Sequence, residues 1–220
     1  MGTVLVTGAN RGIGLALCRQ FHSRGDAVVA VCRESSPSLD ALGVRVESGI
    51  DVTSDKSVAE LAQRLKGTSL DVLINNAGTL SVETLEDMNF ETIRRQFEVN
   101  SLGPLRVTRA LRPCLGQGSK VIIITSQMGS IGEMNAGGYY GYRMSKAAVN
   151  VVGVCLAHDL SGAGIAVALL HPGYVSTDMT RHQGTVQPDD SARGLIARID
   201  ELTLENSGCF RHANGRSVSW

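Results

Sequence analysis

An apolar strand runs directly into a glycine-rich turn in the stretch TVLVTGANRGIG, residues 3–14. Gly8, Gly12 and Gly14 lie between this strand and the helix that the following residues predict. Glycines at such a place permit a tight turn, and they let a pyrophosphate approach the helix N-terminus, where unpaired N–H groups and the helix dipole favour anions. The spacing is G-x-x-x-G-x-G rather than the common G-x-G-x-x-G, so a purely structural glycine turn is the alternative.

Strands and helices alternate along the rest of the chain. Apolar runs predict strands at residues 3–7, 27–32, 44–49, 70–75, 120–125 and 165–170, and amphipathic patterns predict helices near 12–24, 54–66, 89–114, 139–161 and 189–203. Because the strands are continuous in Val, Ile and Leu, they predict a parallel sheet that is covered on both faces. The β-α-β order makes that sheet doubly wound, and the pattern runs without a linker or repeat, which predicts one α/β domain over residues 1–220.

The composition argues against several classes of function. Lys plus Arg and Asp plus Glu both number 21 in the 220 residues, and no basic run would follow a phosphate backbone, so we expect no nucleic-acid partner. The apolar runs are too short to span a membrane and the first residues do not resemble a signal peptide, so we expect a cytoplasmic protein with no membrane partner. The cysteines are scattered, which predicts reduced thiols and no metal site: Cys18, Cys32, Cys114, Cys155 and Cys209.

Polar residues follow the apolar runs, at the edge where ligands bind to doubly wound sheets. A cofactor with a free ribose 2′-hydroxyl usually meets an acid at the end of the second strand, but Cys32 stands there. Arg33 follows it, and an arginine is the residue that a ribose 2′-phosphate would require. A solvated loop charge is the alternative for Arg33. Asp51 follows the third strand and could accept a hydrogen bond from an adenine amine, or it could cap the helix that begins near Ser54.

Taken in order, TGANRGIG, DV, NNAG, EVN, SQMG, YRMSK and PGYVST resemble the motifs of the classical short-chain dehydrogenases/reductases over essentially the whole chain. The segment GGYYGYRMSKAA and the short length are most similar to the C-factor/sniffer-like carbonyl reductase branch. The resemblance implies a Rossmann fold and a nicotinamide-dependent oxidoreductase that converts a small carbonyl compound to an alcohol, or the reverse. It also implies a homo-oligomer, a dimer or tetramer, that pairs through the helices near 89–114 and 139–161.

A non-catalytic dinucleotide-binding sensor on the same scaffold is the alternative function, because a fold does not fix a function. A sensor does not need a complete catalytic set, and the resemblance implies one here: Asn100, Ser126, Tyr142 and Lys146. Asn100 would, by resemblance, hold a water that links Lys146 to solvent. Hydrogen bonding to its own helix near a kink at Pro104 is the alternative for Asn100.

Helical spacing selects among the three tyrosines of YYGYRMSKAA, residues 139–148. Only Tyr142 has a lysine, Lys146, four residues further along and therefore on the same helix face. Such an ammonium should bring the tyrosine pKa, about 10 when unperturbed, toward neutrality and make the hydroxyl a suitable proton donor. We interpret Tyr139 and Tyr140 as packing or substrate-wall residues.

Two serines compete for the role of holding the substrate oxygen. Ser126 lies 16 residues before Tyr142 and Ser130 lies 12 residues before it, which is closer to the usual gap in the family. We assign the role to Ser126, because it directly follows the fifth strand and carries the S-x-x-G continuation of the family. The additional residues GEMNAGG then form an enlarged loop near the substrate.

We predict that NADP(H) is preferred over NAD(H). Arg33 and Arg11 would converge on the 2′-phosphate, and Glu34 would turn toward solvent, because consecutive residues of an extended segment point to opposite sides. A short mobile lid is expected at about residues 176–190. The residues expected to bind the cofactor are Gly8, Asn10, Arg11, Gly12, Ile13, Gly14, Arg33, Asp51, Val52, Asn76, Ala77, Gly78, Tyr142, Lys146, Pro172, Gly173, Val175 and Thr177.

Overall fold

Seven parallel strands form one sheet in the order β3-β2-β1-β4-β5-β6-β7 in the computed structural model of the chain, which describes residues 2–220. The strands are β1 (Thr3–Thr7), β2 (Ala27–Val31), β3 (Arg45–Glu47), β4 (Leu70–Asn75), β5 (Leu115–Ile124), β6 (Ala166–His171) and β7 (Cys209–His212). The strand order reverses between β1 and β4, as in a doubly wound Rossmann sheet. The predicted fold class is confirmed.

The helices divide between the two faces of the sheet. One face is covered by α1 (Gly12–Ser23), α2 (Pro37–Asp40) and α7 (Pro188–Asp200). The other face is covered by α3 (Asp55–Arg64), α5 (Gly103–Leu111) and α6 (Tyr140–Ser161), and α4 (Phe90–Phe97) packs on α6. Successive residues of one strand therefore enter different cores, as Val4 and Val6 do on one side and Leu5 on the other.

Three elements differ from the sequence prediction. The helix expected at 89–114 is α4 and α5 joined by a π-helix, Glu98–Leu102, directly before Pro104, whose missing N–H favours an irregular turn at that place. Strand β5 begins at Leu115, ahead of the apolar run, and its pairing with β4 shifts register there. The sequence of β7, Cys-Phe-Arg-His, has no strand pattern, and this strand forms by pairing with the buried edge of β6.

The topology places the candidate residues at one crevice. The chain leaves β1 toward α1 on one face and leaves β4 toward α4 and α5 on the other, so the carboxyl ends of these neighbouring strands open to a ligand. Every motif that follows a strand in the sequence lies at this edge of the sheet. No helix within residues 2–220 combines the length and the apolar content that a membrane crossing needs.

Candidate active site

A cleft of about 940 Å³ lies beyond the carboxyl ends of the strands. Gly173 and Val175, two residues expected to bind a cofactor, do not line it: Val175 is buried in a bridge to Val186, and Gly173 lies against His212. These two lie behind the lining of the cleft, and their contact with a cofactor stays a prediction. All the others line it: Gly8, Asn10, Arg11, Gly12, Ile13, Gly14, Arg33, Asp51, Val52, Asn76, Ala77, Gly78, Tyr142, Lys146, Pro172 and Thr177.

The glycine turn at one end of the cleft is shaped to hold an anion. Gly8 and Gly12 have φ angles of 65° and 53°, which side-chain-bearing residues rarely adopt, and a Cβ on Gly14 would collide with the carbonyl oxygen of Gly8. Within residues 2–220, no side chain caps the N-terminus of α1, and its first turn holds no acid. Its N–H groups can therefore bind a negative group, and the turn fits the pyrophosphate of a dinucleotide.

Asn76 braces this turn. Its Nδ2 donates to the carbonyl oxygens of Thr7 and Gly8 at 2.9 and 3.1 Å. The hydroxyl of Thr7 in turn accepts from the N–H groups of Asn76 and Ala77 at 3.0 and 3.1 Å. The loop after β4 is thus bonded to the loop after β1, and Asn76 fixes the shape of the turn with its side-chain amide.

Charged groups line the end of the cleft beyond β2 and β3. Both Arg33 and Glu34 line it, and the direction of the Glu34 side chain toward solvent stays a prediction. The chain bends at these two residues, and the side-to-side alternation of an extended strand does not apply there. Arg95 of α4 lines the same end, and no feature of the sequence pointed to it, because a charge on an amphipathic helix normally marks its solvent face.

Asp51 presents an ionised carboxylate to the cleft. Its Oδ1 accepts from the N–H and the hydroxyl of Thr53 at 2.9 and 2.8 Å, while Ser54 caps α3, so the capping alternative for Asp51 is wrong. Burial acts to raise the pKa of Asp51, but the hydrogen bonds from Thr53 and the charges of Arg33 and Arg95 outweigh it and lower the pKa. The carboxylate can accept a hydrogen bond from an adenine amine.

Arg11 pairs with the lid instead of joining Arg33. Its Nη1 lies 3.2 Å from Oδ2 of Asp178, and Oδ1 of Asp178 lies 3.0 Å from Nε2 of His182. The expected convergence of Arg11 and Arg33 on a phosphate stays a prediction. The side chains of Arg11 and Asp178 are 70% and 56% exposed, and ion pairs of that kind are weak, so a phosphate can displace Asp178.

The predicted lid lies against the glycine turn. A short 3₁₀ turn, Asp178–Thr180, follows Thr177, and the methyl of Thr177 lies 3.2 Å from the point where a Cβ on Gly12 would stand. The hydroxyl of Thr180 accepts from the N–H of Thr177 at 3.1 Å. Further lid residues line the cleft: Ser176, Met179, His182 and Pro188. That this segment acts as a mobile lid stays a prediction.

Tyr142 and Lys146 lie together at the inner end of the cleft. Both are buried, at 8% and 4% exposed, and Nζ of Lys146 lies 5.8 Å from the centre of the Tyr142 ring. Nζ also donates to the carbonyl oxygen of Ile124 at 2.9 Å. Tyr139 and Tyr140 instead line a separate surface cavity of about 420 Å³. Of the three tyrosines, Tyr142 alone lines the cleft together with a lysine.

Burial shifts the pKa of both residues toward the neutral form. It raises the pKa of Tyr142, with a hydrogen bond from Ser126 acting in the opposite direction, and it lowers the pKa of Lys146 to about 8. The expectation that the lysine brings the Tyr142 pKa toward neutrality is therefore wrong for this structure, since the desolvation of the phenolate outweighs it. The phenol remains protonated at neutral pH, which is the form that donates a proton.

The two candidate serines have different surroundings. Ser126 is buried beside Tyr142 and is within hydrogen-bonding reach of its phenol. Ser130 is buried on the other side of the loop, where its hydroxyl accepts from the N–H of Glu133 at 3.0 Å and lies 3.5 Å from the carbonyl oxygen of Trp220. Ser126, and not Ser130, therefore lies beside Tyr142, and the role of Ser126 stays a prediction.

Asn100 is buried in the π-helix and bonds a different segment. Its Oδ1 accepts from the N–H of Thr79 at 2.8 Å, and its Nδ2 donates to the carbonyl oxygen of Thr79 at 2.8 Å and to the hydroxyl of Ser145 at 3.0 Å. The alternative of a bond to its own helix is wrong. Asn100 ties the loop after β4 to α6, and π-helical turns are often found at functional sites.

Comparison with known proteins agrees with this geometry. A sequence profile described as short chain dehydrogenase matches residues 2–187. The chain belongs to the short-chain dehydrogenase family. A relative within the curated proteins, the 1-hydroxy-2-glutathionyl-2-methyl-3-butene dehydrogenase of Rhodococcus sp. (strain AD45), is 47% identical over 226 residues, which cover 100% of both chains. The protein is therefore an oxidoreductase of this family.

Solved structures of short-chain dehydrogenases share the whole fold. The NADPH-bound carbonyl reductase from chicken fatty liver has a TM-score of 0.89 at 30% identity, with 100% of this chain and 99% of that chain covered. The carbonyl reductase Sniffer of D. melanogaster has a TM-score of 0.93 at 26% identity, with 100% of both chains covered. The predicted similarity to sniffer-type reductases is confirmed, and the cleft suits a nicotinamide dinucleotide. Within residues 2–220, no group of three or more metal-binding side chains converges.

Proposed function

We propose that this short-chain dehydrogenase reduces an aldehyde or ketone to an alcohol, or catalyses the reverse reaction, with NADP(H) as cofactor. The observation that supports the proposal is a cleft that Tyr142 and Lys146 line at its inner end, with Ser126 beside Tyr142, and whose opposite end fits a pyrophosphate. A non-catalytic sensor would need only the pyrophosphate end. The inner end supplies the groups that a carbonyl reduction requires.

Tyr142 is the proposed proton donor. The nicotinamide, when bound, supplies the hydride for the carbonyl carbon or accepts it in the reverse direction. The hydroxyl of Tyr142 then gives its proton to the substrate oxygen in the reduction and takes a proton back in the oxidation. The raised pKa of Tyr142 keeps the phenol protonated at neutral pH.

Ser126, Lys146 and Asn100 support this transfer in different ways. Ser126 donates a hydrogen bond to the substrate oxygen and so orients the carbonyl. Lys146, with a pKa of about 8, stabilises the phenolate that remains and exchanges protons near neutral pH. Oδ1 of Asn100 and Nζ of Lys146 lie 3.4 and 3.9 Å from the point where a Cβ on Gly78 would stand, so both face the space beside Gly78. We propose that water in this space returns a proton to the site.

The proposed preference for NADP(H) rests on the end of the cleft beyond β2. Cys32 offers no carboxylate to ribose hydroxyls, and the exposed Arg33 lies beside it. A charge-assisted hydrogen bond to a phosphate is worth roughly 1.5–3 kcal/mol, or about ten- to a hundredfold in affinity. Glu34 lines the same end and opposes a phosphate, so Arg33, with Arg11 released from Asp178, has to outweigh it.

The proposed substrate is a small or medium carbonyl compound or the corresponding alcohol. Two relatives of known structure are named carbonyl reductases, and the relative from Rhodococcus is named for a 1-hydroxy compound that carries a glutathionyl group. Apolar side chains stand exposed on the loops after β5 and β6, which suits an apolar substrate: Met134, Tyr174 and Met179.

Turnover of a substrate panel tests this function directly. The panel should include aldehydes, ketones and primary alcohols, with and without a glutathionyl group, each with NADPH or NADP⁺ and with NADH or NAD⁺. We expect oxidation of NADPH by at least one class of carbonyl compound. Tight cofactor binding without turnover of any member would instead favour the sensor.

We also propose that the protein is a homo-oligomer that pairs through α4, α5 and α6, and that it acts in the cytoplasm. Exposed apolar side chains on or beside these helices support the pairing: Phe90, Leu102, Leu105, Met144 and Val151. The mass measured by light scattering on a sizing column tests it, since a monomeric mass would contradict the proposal.

A further inference from the structure

Glu83 is a buried carboxylate for which the proposed reaction has no direct use. It is 1% exposed, and neutral donors surround it. The hydroxyl of Thr92 and Nε2 of Gln96 donate to its Oε1 at 2.8 and 2.9 Å, and the N–H of Gly141 donates to its Oε2 at 3.1 Å. Buried polar groups are costly unless they are bonded in this way, so the site is built around a carboxylate.

The contact with Gly141 makes Glu83 a cap of the catalytic helix. Gly141 lies in the first turn of α6 and directly precedes Tyr142. The N-cap residue, Tyr139, has a left-handed backbone with φ of 55°. Within residues 2–220, its side chain makes no capping hydrogen bond to the first turn of α6. The N–H of Tyr139 donates to the carbonyl oxygen of Glu83 at 2.8 Å. Glu83 lies outside α6, and it supplies the hydrogen-bond acceptor and the negative charge that a helix N-terminus favours.

Glu83 also joins α6 to α4. A Cβ on Gly141 would collide with the side chain of Gln96 and would stand 3.0 Å from the Cα of Ile93, so the two helices are in close contact. Oε1 of Gln96 accepts from the N–H of Ser81 at 3.1 Å. The segment of residues 79–83 begins with Thr79, which bonds Asn100 of the π-helix. It therefore ties α4 and the π-helix to the first turn of α6.

We propose that Glu83 is a positioning residue that fixes the first turn of α6 and thereby holds the hydroxyl of Tyr142 at the substrate oxygen. This inference rests on the proposed function of Tyr142. A helix without its cap frays in the first turn, and Tyr142 lies in that turn. A displacement of about 1 Å at a reacting group can cost roughly a hundredfold in rate, so a small loss of order there should lower turnover.

The variant Glu83→Gln tests the carboxylate at constant size. The side-chain amide at position 83 can take two orientations, and in both its NH₂ group faces another donor. The N–H of Gly141 lies on one side and the NH₂ of Gln96 on the other. We expect kcat to fall about tenfold, with the KM for substrate and the Kd for NADPH within about twofold. Glu86→Gln is the matched control, since Glu86 is exposed on the same segment, and it should leave kcat unchanged.

An exchange of the two side chains should rescue this loss. In Glu83→Gln with Gln96→Glu, the carboxylate at 96 can accept from the N–H of Ser81 and from the amide at 83, whose oxygen accepts from Gly141. The hydroxyl of Thr92 can donate to the carbonyl oxygen of Asn89, which lies 2.9 Å away. Every donor then has an acceptor again, and we expect kcat to return to within about threefold of the wild type. A merely structural role would restore thermal stability in the double variant without restoring kcat, and that result would overturn the proposal.

Hydrogen exchange of the Gly141 amide separates this inference from the proposed function. Faster exchange in Glu83→Gln together with lower kcat supports the proposal, and unchanged kcat in the folded variant overturns it. Faster exchange in a protein whose Tyr142→Phe variant keeps full turnover shows that the cap exists and that the proton-donor assignment is wrong. If Glu83→Gln does not fold, Thr92→Val removes one donor to Oε1, and kcat should fall about threefold; no change would overturn the proposal.

Discussion

The two ends of the cleft are built in different ways. The pyrophosphate end is mainly backbone, namely the glycine turn of residues 8–14 and the N-terminus of α1. The proposed catalytic end consists of buried side chains from distant segments, of which Asn100 and Lys146 are bonded to other parts of the chain: Asn100, Ser126, Tyr142 and Lys146. The first requires one local turn and the second requires the whole fold, so substitutions should affect cofactor binding and turnover separately.

Tyr142→Phe should give the largest effect. Because the variant lacks the proposed proton donor, we expect kcat to fall roughly a thousandfold, within the range that general acid catalysis usually contributes. The Kd for NADPH, measured by fluorescence titration, should change by less than about twofold. Tyr140→Phe is the matched control and should keep nearly full turnover. Loss of turnover in Tyr140→Phe, or loss of NADPH binding in Tyr142→Phe, would contradict the assignment.

Ser126→Ala and Ser130→Ala should differ strongly. Loss of a donor to the developing oxyanion lowers kcat by about a hundredfold or more, and we expect this for Ser126→Ala. Ser130 bonds the loop and the C-terminal segment, so Ser130→Ala should change kcat by less than about fivefold. Steady-state kinetics of both variants will rank them, and the opposite ranking would show that the spacing to Tyr142, not the strand end, sets the role.

The sequence was sufficient for features that depend on local pattern. The continuous apolar strands and the glycine turn predicted the doubly wound sheet, and helical spacing selected Tyr142 with Lys146. The partner of Arg11 could not be predicted, because a contact with Asp178 across the fold decides it. Glu83 gave no signal either, since its three donors come from two helices that the sequence does not place beside it.

Arg33→Ala should affect the opposite end of the cleft. We expect the ratio of kcat/KM for NADPH to that for NADH to fall about ten- to a hundredfold, because one charge-assisted bond to the 2′-phosphate is lost. The kcat with saturating NADPH should change little, since the catalytic end remains intact. Arg11→Ala should give a smaller fall in the ratio, because Asp178 already pairs with Arg11. An unchanged ratio in Arg33→Ala, or equal use of NADH by the wild type, would exclude the proposed preference.

Lys146→Met should lower turnover, because it removes the proposed support of Tyr142, and the smallest effect that we expect is its effect on stability. Burial lowers the pKa of Lys146 from 10.5 to about 8, so between these values the unfolded chain binds a proton that the native protein does not. This lysine therefore makes the protein more stable as pH rises through that window, and it costs stability below pH 8. The variant also loses the hydrogen bond from Lys146 to Ile124. With that loss included, we expect Lys146→Met to raise the free energy of unfolding by about 2 kcal/mol at pH 7, which corresponds to about 4–8 °C in Tm.

Thermal unfolding across pH checks this effect. The difference in Tm between Lys146→Met and the wild type should shrink as the pH rises from about 8 to about 10.5, because the wild-type lysine becomes neutral in both states. A variant that is less stable than the wild type at pH 7 would contradict this expectation. It would show that the hydrogen bonds of Lys146 offset the cost of burying its ammonium group.

Transfer of deuterium tests the central claim, that the inner end of the cleft carries out hydride and proton transfer. The wild type and Tyr142→Phe would be incubated with a carbonyl compound from the panel and NADPH deuterated at the transferring position of the nicotinamide, and the alcohol analysed by mass spectrometry. The account predicts one deuterium on the carbinol carbon with the wild type and roughly a thousandfold slower labelling with Tyr142→Phe. Equal rates of labelling in the two proteins, or NADPH binding without labelled alcohol from any carbonyl compound, would contradict it.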